Sequence, residues 1–584
     1  MRPFRRFLPA IGLLLCAASL AAARDEARDP NAPAGAPASA PSPPAGGRES
    51  VEAIPGDFLP IEDRWRIGFP DWDRYAHGRR PRAPYVRGRW YDPYNQNVLK
   101  GDLPILGDAT FLNLTVLSDT LVDARRLTTP SGVSGSDPFN EEFFGESEEV
   151  AGAANLLLSL DLFHGAAAFR PVDWRVRVTP VFNLNLLDTQ ERGIVNADVR
   201  AGDERTDRHV GLQEGFVEVK LFDVSPSYDI VFLRAGVQGF LSDPRGFLFA
   251  DNEPGIRLSG NWASNRSSWN LAYFKMAEKD TNSGLNTLDF QSREQQVFIA
   301  NLFRQDFLTP GYTAGLSVHV NNDRPSVHFD KNGFLVRPAA VGALRPHDVS
   351  VTYLGWIGTG HIGRANVMHA LYHVSGDDSD NPIAGGPIDV DAWMAALEMS
   401  VDKDWLRYRG QLLWASGDED PRDEDGEGFD TIFDNPLFAG AGSSFWVRQA
   451  IPLAGTRLKL VGPASLFPSL RSSKEEGQAN FVNPGLQLAG GGVDAEITTT
   501  LRGIANVNVM RFDETAPLEL VLFQPDIDRF IGVDLGVGIQ WRPWLNNNVI
   551  VNASASTLFP GPGFEDIHEG EQLVSFTGSL TVTY

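Results

Sequence analysis

From about residue 109 to the last residue, the sequence alternates apolar and polar side chains with a period of two, a pattern met by extended strands with two unlike faces. Trp174, Val176, Val178, Pro180, Phe182, Leu184 and Leu186 alternate with Arg175, Arg177, Thr179, Val181, Asn183 and Asn185. Ile531 to Trp541, Leu156 to Leu162 and Val574 to Tyr584 repeat the pattern. A soluble β-sandwich would show the same alternation with its apolar faces turned inward. The connections discriminate between the two.

Short links at 170–173, 263–266, 402–404 and 543–546 take turns with long ones at 118–150, 188–210, 239–254, 278–293, 322–347, 376–389, 416–484, 513–529 and 560–572. Alternation of short and long connections is the mark of a transmembrane barrel, with brief periplasmic turns and longer extracellular loops. The expected fold is therefore all-β: a single transmembrane, antiparallel, up-and-down β-barrel of about eighteen strands in the bacterial outer membrane. Lipid offers no hydrogen-bond partner to the backbone, so every strand must pair and no sheet edge can stay open. Trp174, Trp269, Trp405, Trp541 and Tyr353 suit interfacial girdles, and Tyr584, a closing aromatic, resembles the signal that barrels present to their assembly machinery.

The first residues fit export. Arg2, Arg5 and Arg6 precede an apolar run from Phe7 to Leu20 and then Ala21-Ala22-Ala23, so residues 1–23 are expected to be a signal peptide. The single cysteine, Cys16, falls inside it, which leaves a mature chain without disulfides, thiolate chemistry or Cys-ligated metals. Residues 24–50 read as a Pro/Ala-rich linker. Residues 51–108 read as a periplasmic or lumen segment that could hold a periplasmic partner, and 109–584 as the barrel. A net charge of -24 argues against nucleic acid, whose phosphates demand clustered Lys and Arg.

No catalytic constellation emerges, so no enzyme is expected. Gly358-Thr359-Gly360-His361-Ile362-Gly363 matches a dinucleotide-loop pattern but precedes no helix. His369 and His373, on one strand, lie roughly 13 Å apart at ~3.3 Å per residue, too far to share an ion. Gly132-Val133-Ser134-Gly135-Ser136 lacks the second glycine of a nucleophile elbow. In the loop after Ala415, Asp418, Asp420, Asp423 and Asp425 form a carboxylate cluster suited to calcium, although the spacing is not that of a full calcium loop and a solvated acidic loop explains it as well. No other cofactor is expected.

If the apolar parity faces lipid, Arg175, Arg177, Lys220, Arg234, Arg257, Arg407, Arg409 and Arg542 face the lumen beside Asp161, Glu214, Glu218, Glu398, Asp494, Glu496 and Asp534. This wall has a slight basic surplus, which lowers the barrier for anions, with Arg175, Arg177, Arg407 and Arg409 as the expected constriction. The competing reading is a set of ion pairs holding the wall together.

Several residues carry a resemblance to the alginate-export class of outer-membrane porins. They are the strand Trp405 to Ala415 with inward Arg407 and Arg409, its continuation Ala415-Ser416-Gly417-Asp418, and the later Phe429-Asp430 and Phe438-Ala439-Gly440. The resemblance spans residues 109–584 in architecture. It implies about eighteen strands, a basic lumen, long gating loops, and passive passage of an anionic or polyhydroxylated solute or polysaccharide. The alternatives are a plugged, energised receptor and a barrel scaffold around a periplasmic or electron-transfer partner.

Overall fold

The computed structural model describes residues 89–94, 97–137, 139, 143–165, 170–455, 457–544, 546–568, 570 and 572–584. The expected signal peptide, the linker and residues 51–88 of the following segment lie outside the described residues.

Eighteen antiparallel strands close into one barrel. The first nine are β1 (Thr110–Arg126), β2 (Glu148–His164), β3 (Trp174–Thr189), β4 (Glu204–Asp223), β5 (Ile230–Leu241), β6 (Ala250–Trp262), β7 (Ser267–Ala277), β8 (Ser292–Arg304) and β9 (Tyr312–Asp323). The other nine are β10 (Val349–Ile362), β11 (Ala365–Asn381), β12 (Gly386–Lys403), β13 (Leu406–Ala415), β14 (Leu486–Glu496), β15 (Leu501–Arg511), β16 (Phe530–Trp541), β17 (Val549–Pro560) and β18 (Leu573–Thr583). Each strand pairs with the next, and Leu117–Arg126 of β1 pair with Thr583–Val574 of β18, which closes the ring.

Closure satisfies the backbone within the sheet, and the outer face is apolar. Val178, Phe182 and Leu184 on β3, Leu354 and Trp356 on β10, and Val537, Ile539 and Trp541 on β16 all point outward and are exposed. A closed sheet with an apolar exterior belongs in lipid, and the chain is an outer-membrane barrel. The short connections, such as 263–266, 363–364 and 404–405, mark the periplasmic end, and the long ones mark the outside.

Three expectations change. The link expected at 376–389 is a tight turn at 382–385, because β11 and β12 continue above the lipid belt as a paired hairpin from Asn381↔Gly386 downward. Tyr353 does not belong to a girdle. It points inward, fully buried, and its hydroxyl donates to the Asp430 carbonyl at 3.0 Å. Nor is the inner face polar throughout: Val349, Val351 and Ile357 on β10, Tyr372 and Val374 on β11, and Ala392 and Met394 on β12 point inward and are buried. This wall is apolar on both faces because loop 416–485 folds down against its inner face and gives the apolar side chains a core.

Candidate functional site

An eighteen-stranded barrel is wide enough to hold an aqueous channel, so what fills its lumen decides what passes. Two loops enter it. The first, 242–249 between β5 and β6, is folded over Asp243, whose carboxylate accepts the backbone N–H groups of Arg245 (2.9 Å), Phe247 (3.0 Å) and Leu248 (3.3 Å) and the Tyr372 hydroxyl (3.2 Å). The second is 416–485 between β13 and β14. The loops pair with each other as strands would: Leu437 N donates to Arg245 O (2.8 Å), Asn435 N to Gly246 O (2.9 Å), Phe433 N to Leu248 O (3.1 Å) and Ala250 N to Phe433 O (2.9 Å). Their aromatic rings interlock behind this ladder, Phe247 with Phe438 at 5.3 Å and Phe429 with Phe467 at 5.5 Å between centroids.

The long loop also crosses to the opposite wall. Asp534 on β16 accepts from Ser444 Oγ (2.6 Å) and Phe445 N (2.9 Å), and Asn508 on β15 donates to the Ala439 carbonyl (2.9 Å). Asn506 donates to Ser443 Oγ at 2.9 Å, while Gln449 donates to Asp123 on β1 at 2.8 Å and accepts from Arg125 at 2.9 Å. Near the outer mouth Arg293 Nη1 donates to Glu475 O (2.7 Å) and Arg337 Nη1 to Glu476 O (2.8 Å). The loop is thus a strap fastened to several sides of the lumen, by wall side chains on its backbone and side chains and by backbone bonds within the loop itself, such as Gln449 N to Phe445 O at 3.0 Å.

Below the strap lies a cavity of about 970 Å³ that reaches the periplasmic strand ends. Its ceiling is Leu437, Phe438 and Gly440–Ser443 of the strap, and much of its side wall is hydroxyl and amide: Asn552, Ser554, Thr577, Ser579, Thr581 and Thr583. Six arginines border it, namely Arg245, Arg407, Arg409, Arg448, Arg502 and Arg542, against two carboxylates, Glu398 and Asp494. Arg245 pairs with Glu398, and Arg407 pairs with Asp402. Arg409 and Arg502 share Asp494 at 2.8 and 2.9 Å, and Arg502 also approaches Glu496 at 3.5 Å. Among the described residues, Arg448 and Arg542 have no carboxylate within ion-pairing distance, and Arg448 Nε is buried without an acceptor. Arg245, Arg407, Arg409 and Arg502 are thus matched by Glu398, Asp402, Asp494 and Glu496, and Arg448 and Arg542 leave a net positive charge in the recess.

The residues singled out by strand parity therefore divide into groups. Arg407, Arg409, Arg542, Asp494 and Glu398 border the vestibule. Arg175, Arg177 and Arg234 lie on another wall in a balanced ladder with Asp161, Glu214 and Glu218: Arg177–Asp161 is 2.8 Å, Arg177–Glu214 3.4 Å, Arg175–Asp161 3.2 Å, and Arg234 Nε–Glu218 2.8 Å. None of these six borders the cavity. Arg257 donates to Asn270 at 2.8 Å, and Lys220 sits near the periplasmic rim with Asp223 at 3.3 Å. Asp534 is an anchor of the strap, and Glu496 lies 3.5 Å from Arg502.

Among the described residues no three potential ligands, Asp418, Asp420, Asp423 and Asp425 included, are arranged to hold a metal ion. Asp418 is buried and accepts Glu427 N at 3.3 Å, whereas Asp420, Asp423 and Asp425 are exposed. The Gly132–Ser136 segment wraps the Glu191 carboxylate, which accepts from Ser134 Oγ (3.1 Å), Gly135 N (2.8 Å) and Ser136 Oγ (2.9 Å), so its serines fold a loop. Gly358–Ile362 is the end of β10, and His369 faces outward, its ring nitrogen 2.6 Å from the Tyr312 hydroxyl.

Three arginines of the vestibule were missed from sequence. Arg502 was within reach, because it shares inward parity with Asn506 and Asn508 on β15. Arg245 and Arg448 sit in loops without periodicity, and only the folding of those loops brings them to the cavity.

No family model matches this chain, and no curated protein matches it. Solved structures do. OccK7 (OpdD) of Pseudomonas aeruginosa is 8% identical over 81% of this chain and 98% of its own, with a TM-score of 0.46. OccK9 (OpdG) of the same organism is 10% identical over 81% and 98%, with a TM-score of 0.45. OccAB4 of Acinetobacter baumannii is 10% identical over 81% and 98%, with a TM-score of 0.43. The likeness is one of barrel architecture.

Proposed function

We propose that this barrel is a passive channel for small anionic, hydroxyl-bearing solutes, with the vestibule as its selective compartment. The observation that carries the reading is the surplus at the cavity: six arginines border it, and Arg448 and Arg542 have no carboxylate within ion-pairing distance among the described residues, in a chain whose overall charge is -24. Such a compartment concentrates anions, and its serine, threonine and asparagine wall offers hydroxyl groups the hydrogen bonds they lose on leaving bulk water. The balanced ladder of Arg175, Arg177 and Arg234 takes no part in selection and holds its wall together. A polymer of uronate type, as in alginate export, meets the same charges but requires the strap to swing aside, which favours small solutes.

Proteoliposomes loaded with the purified barrel test this. Gluconate and glucuronate are expected to enter faster than uncharged sugars of equal size, and replacing Arg448 and Arg542 with glutamine is expected to narrow the difference. Equal entry of charged and uncharged sugars would remove the reading.

A further inference from the structure

The seam between the first and last strands contains an element that channel function does not explain. On the edge of β1 that faces β18, the even-numbered residues make the ladder bonds. Val116 N donates to Tyr584 O (3.3 Å), and Tyr584 N donates to Val116 O (2.8 Å). Below that point β18 no longer covers β1, and Leu112 and Leu114 still present backbone groups to the same side. These are taken up by the segment that precedes β1. Leu114 N donates to Leu99 O (2.7 Å), and Gly101 N donates to Leu112 O (3.0 Å) around an antiparallel Lys100↔Asn113 bridge.

Residues 99–101 run in the same direction as β18 and in line with it, beyond Tyr584. The junction is fastened by side chains. Asn97, buried, donates through Nδ2 to the Tyr584 hydroxyl and to Trp90 O, both at 2.9 Å, and the Tyr584 hydroxyl donates to Trp90 O. The Lys100 ammonium lies 4.0 Å above the Tyr584 ring and donates to Leu114 O at 2.7 Å. Asn546, in the turn between β16 and β17, donates to the Tyr94 hydroxyl at 2.8 Å. Gly101 turns the segment away with φ of +73°, a conformation that favours glycine.

We propose that residues 97–101 are a tethered continuation of β18, which completes the barrel seam and occupies an edge that would otherwise accept an extended strand from another chain. An uncovered strand edge recruits strands by β-augmentation. Here the chain supplies its own strand, held at high effective concentration by its short connection to β1. The segment is thus a built-in guard of the stretch of β1 that β18 leaves uncovered.

Residue-resolved hydrogen exchange on the full barrel in detergent tests the proposal. In the unaltered protein the Leu114 amide is expected to exchange as slowly as those of Thr120 and Val122, which lie within the β18 pairing. In the double variant Asn97→Ala, Gly101→Pro, Leu114 is expected to exchange at least tenfold faster with Thr120 and Val122 unchanged. A synthetic peptide of residues 97–103 is expected to bind the variant and restore the protection, and not to bind the unaltered barrel. Fast exchange at Leu114 in the unaltered protein, slow exchange in the variant, or a peptide that restores nothing each overturns the proposal. The first of these readings needs no variant to fold.

Discussion

Asp418 begins the strap immediately above the barrel wall, buried, with Asp420, Asp423 and Glu427 around it. Burial, reinforced by those neighbouring carboxylates, pushes its carboxyl up to about 7. The folded loop therefore holds a proton that the released loop gives up between about pH 4 and pH 7. The stability this proton contributes is fully present below pH 4 and is lost as pH rises through 7. Proteolysis of residues 416–428 is expected to be faster at pH 8 than at pH 5.5, and Asp418→Asn is expected to abolish the difference; a pH-independent cutting rate in the unaltered protein would contradict this. The ladder on β2 to β5 gives a second residue-scale outcome. Glu218 serves both Arg234 and Arg175 and is buried with Arg234, so Glu218→Ala strands a buried guanidinium and is expected to cost about 3–5 kcal/mol in barrel unfolding. Parity put strand arginines such as Arg175, Arg177 and Arg409 on the inner face, since one residue of slip would have turned them outward, but it could not reach Arg245 and Arg448, which sit in loops. Their pairing was not legible: Arg177 meets Asp161 and Glu214 because neighbouring strands set the register, and sequence does not print register.

The strand scale was read most completely from sequence, because a lipid-facing strand must keep its apolar parity along its whole membrane path. β3 and β16 show this in residues 174–186 and 533–541; of the nine long connections, the one expected at 376–389 is a turn at 382–385, and the one expected at 118–150 begins only after Arg126, because β1 runs on in its pairing with β18. The strap was read as a loop, but its path was not. Trp446, Phe467 and Phe481 have no period, and their burial follows from the walls they meet rather than from local pattern. One contact shows how tightly the strap lies on the wall: a Cβ placed on Gly536 of β16 would sit 1.8 Å from the Ser443 carbonyl oxygen. Gly536→Ala is therefore expected to lift residues 440–448 from the wall, raise single-channel conductance and speed proteolysis of the strap without unfolding the barrel. Unchanged conductance in a folded Gly536→Ala barrel would show that the strap does not limit passage.

Across the whole molecule, charge is distributed rather than merely counted. The chain is strongly acidic, one inner wall is balanced, and the periplasmic vestibule carries the cations, with the strap between it and the outside. Under the proposed function, a pore with this arrangement is expected to select by sign at one end and by width beneath the strap. The measurement that bears most directly on this is the reversal potential of the purified barrel in a planar bilayer under a salt gradient, for the unaltered protein and for Arg448→Gln with Arg542→Gln. The account predicts small currents whose reversal potential reports anion preference, moved toward zero in the double variant. Cation preference, or a barrel that stays non-conducting even with Gly536→Ala, would contradict it.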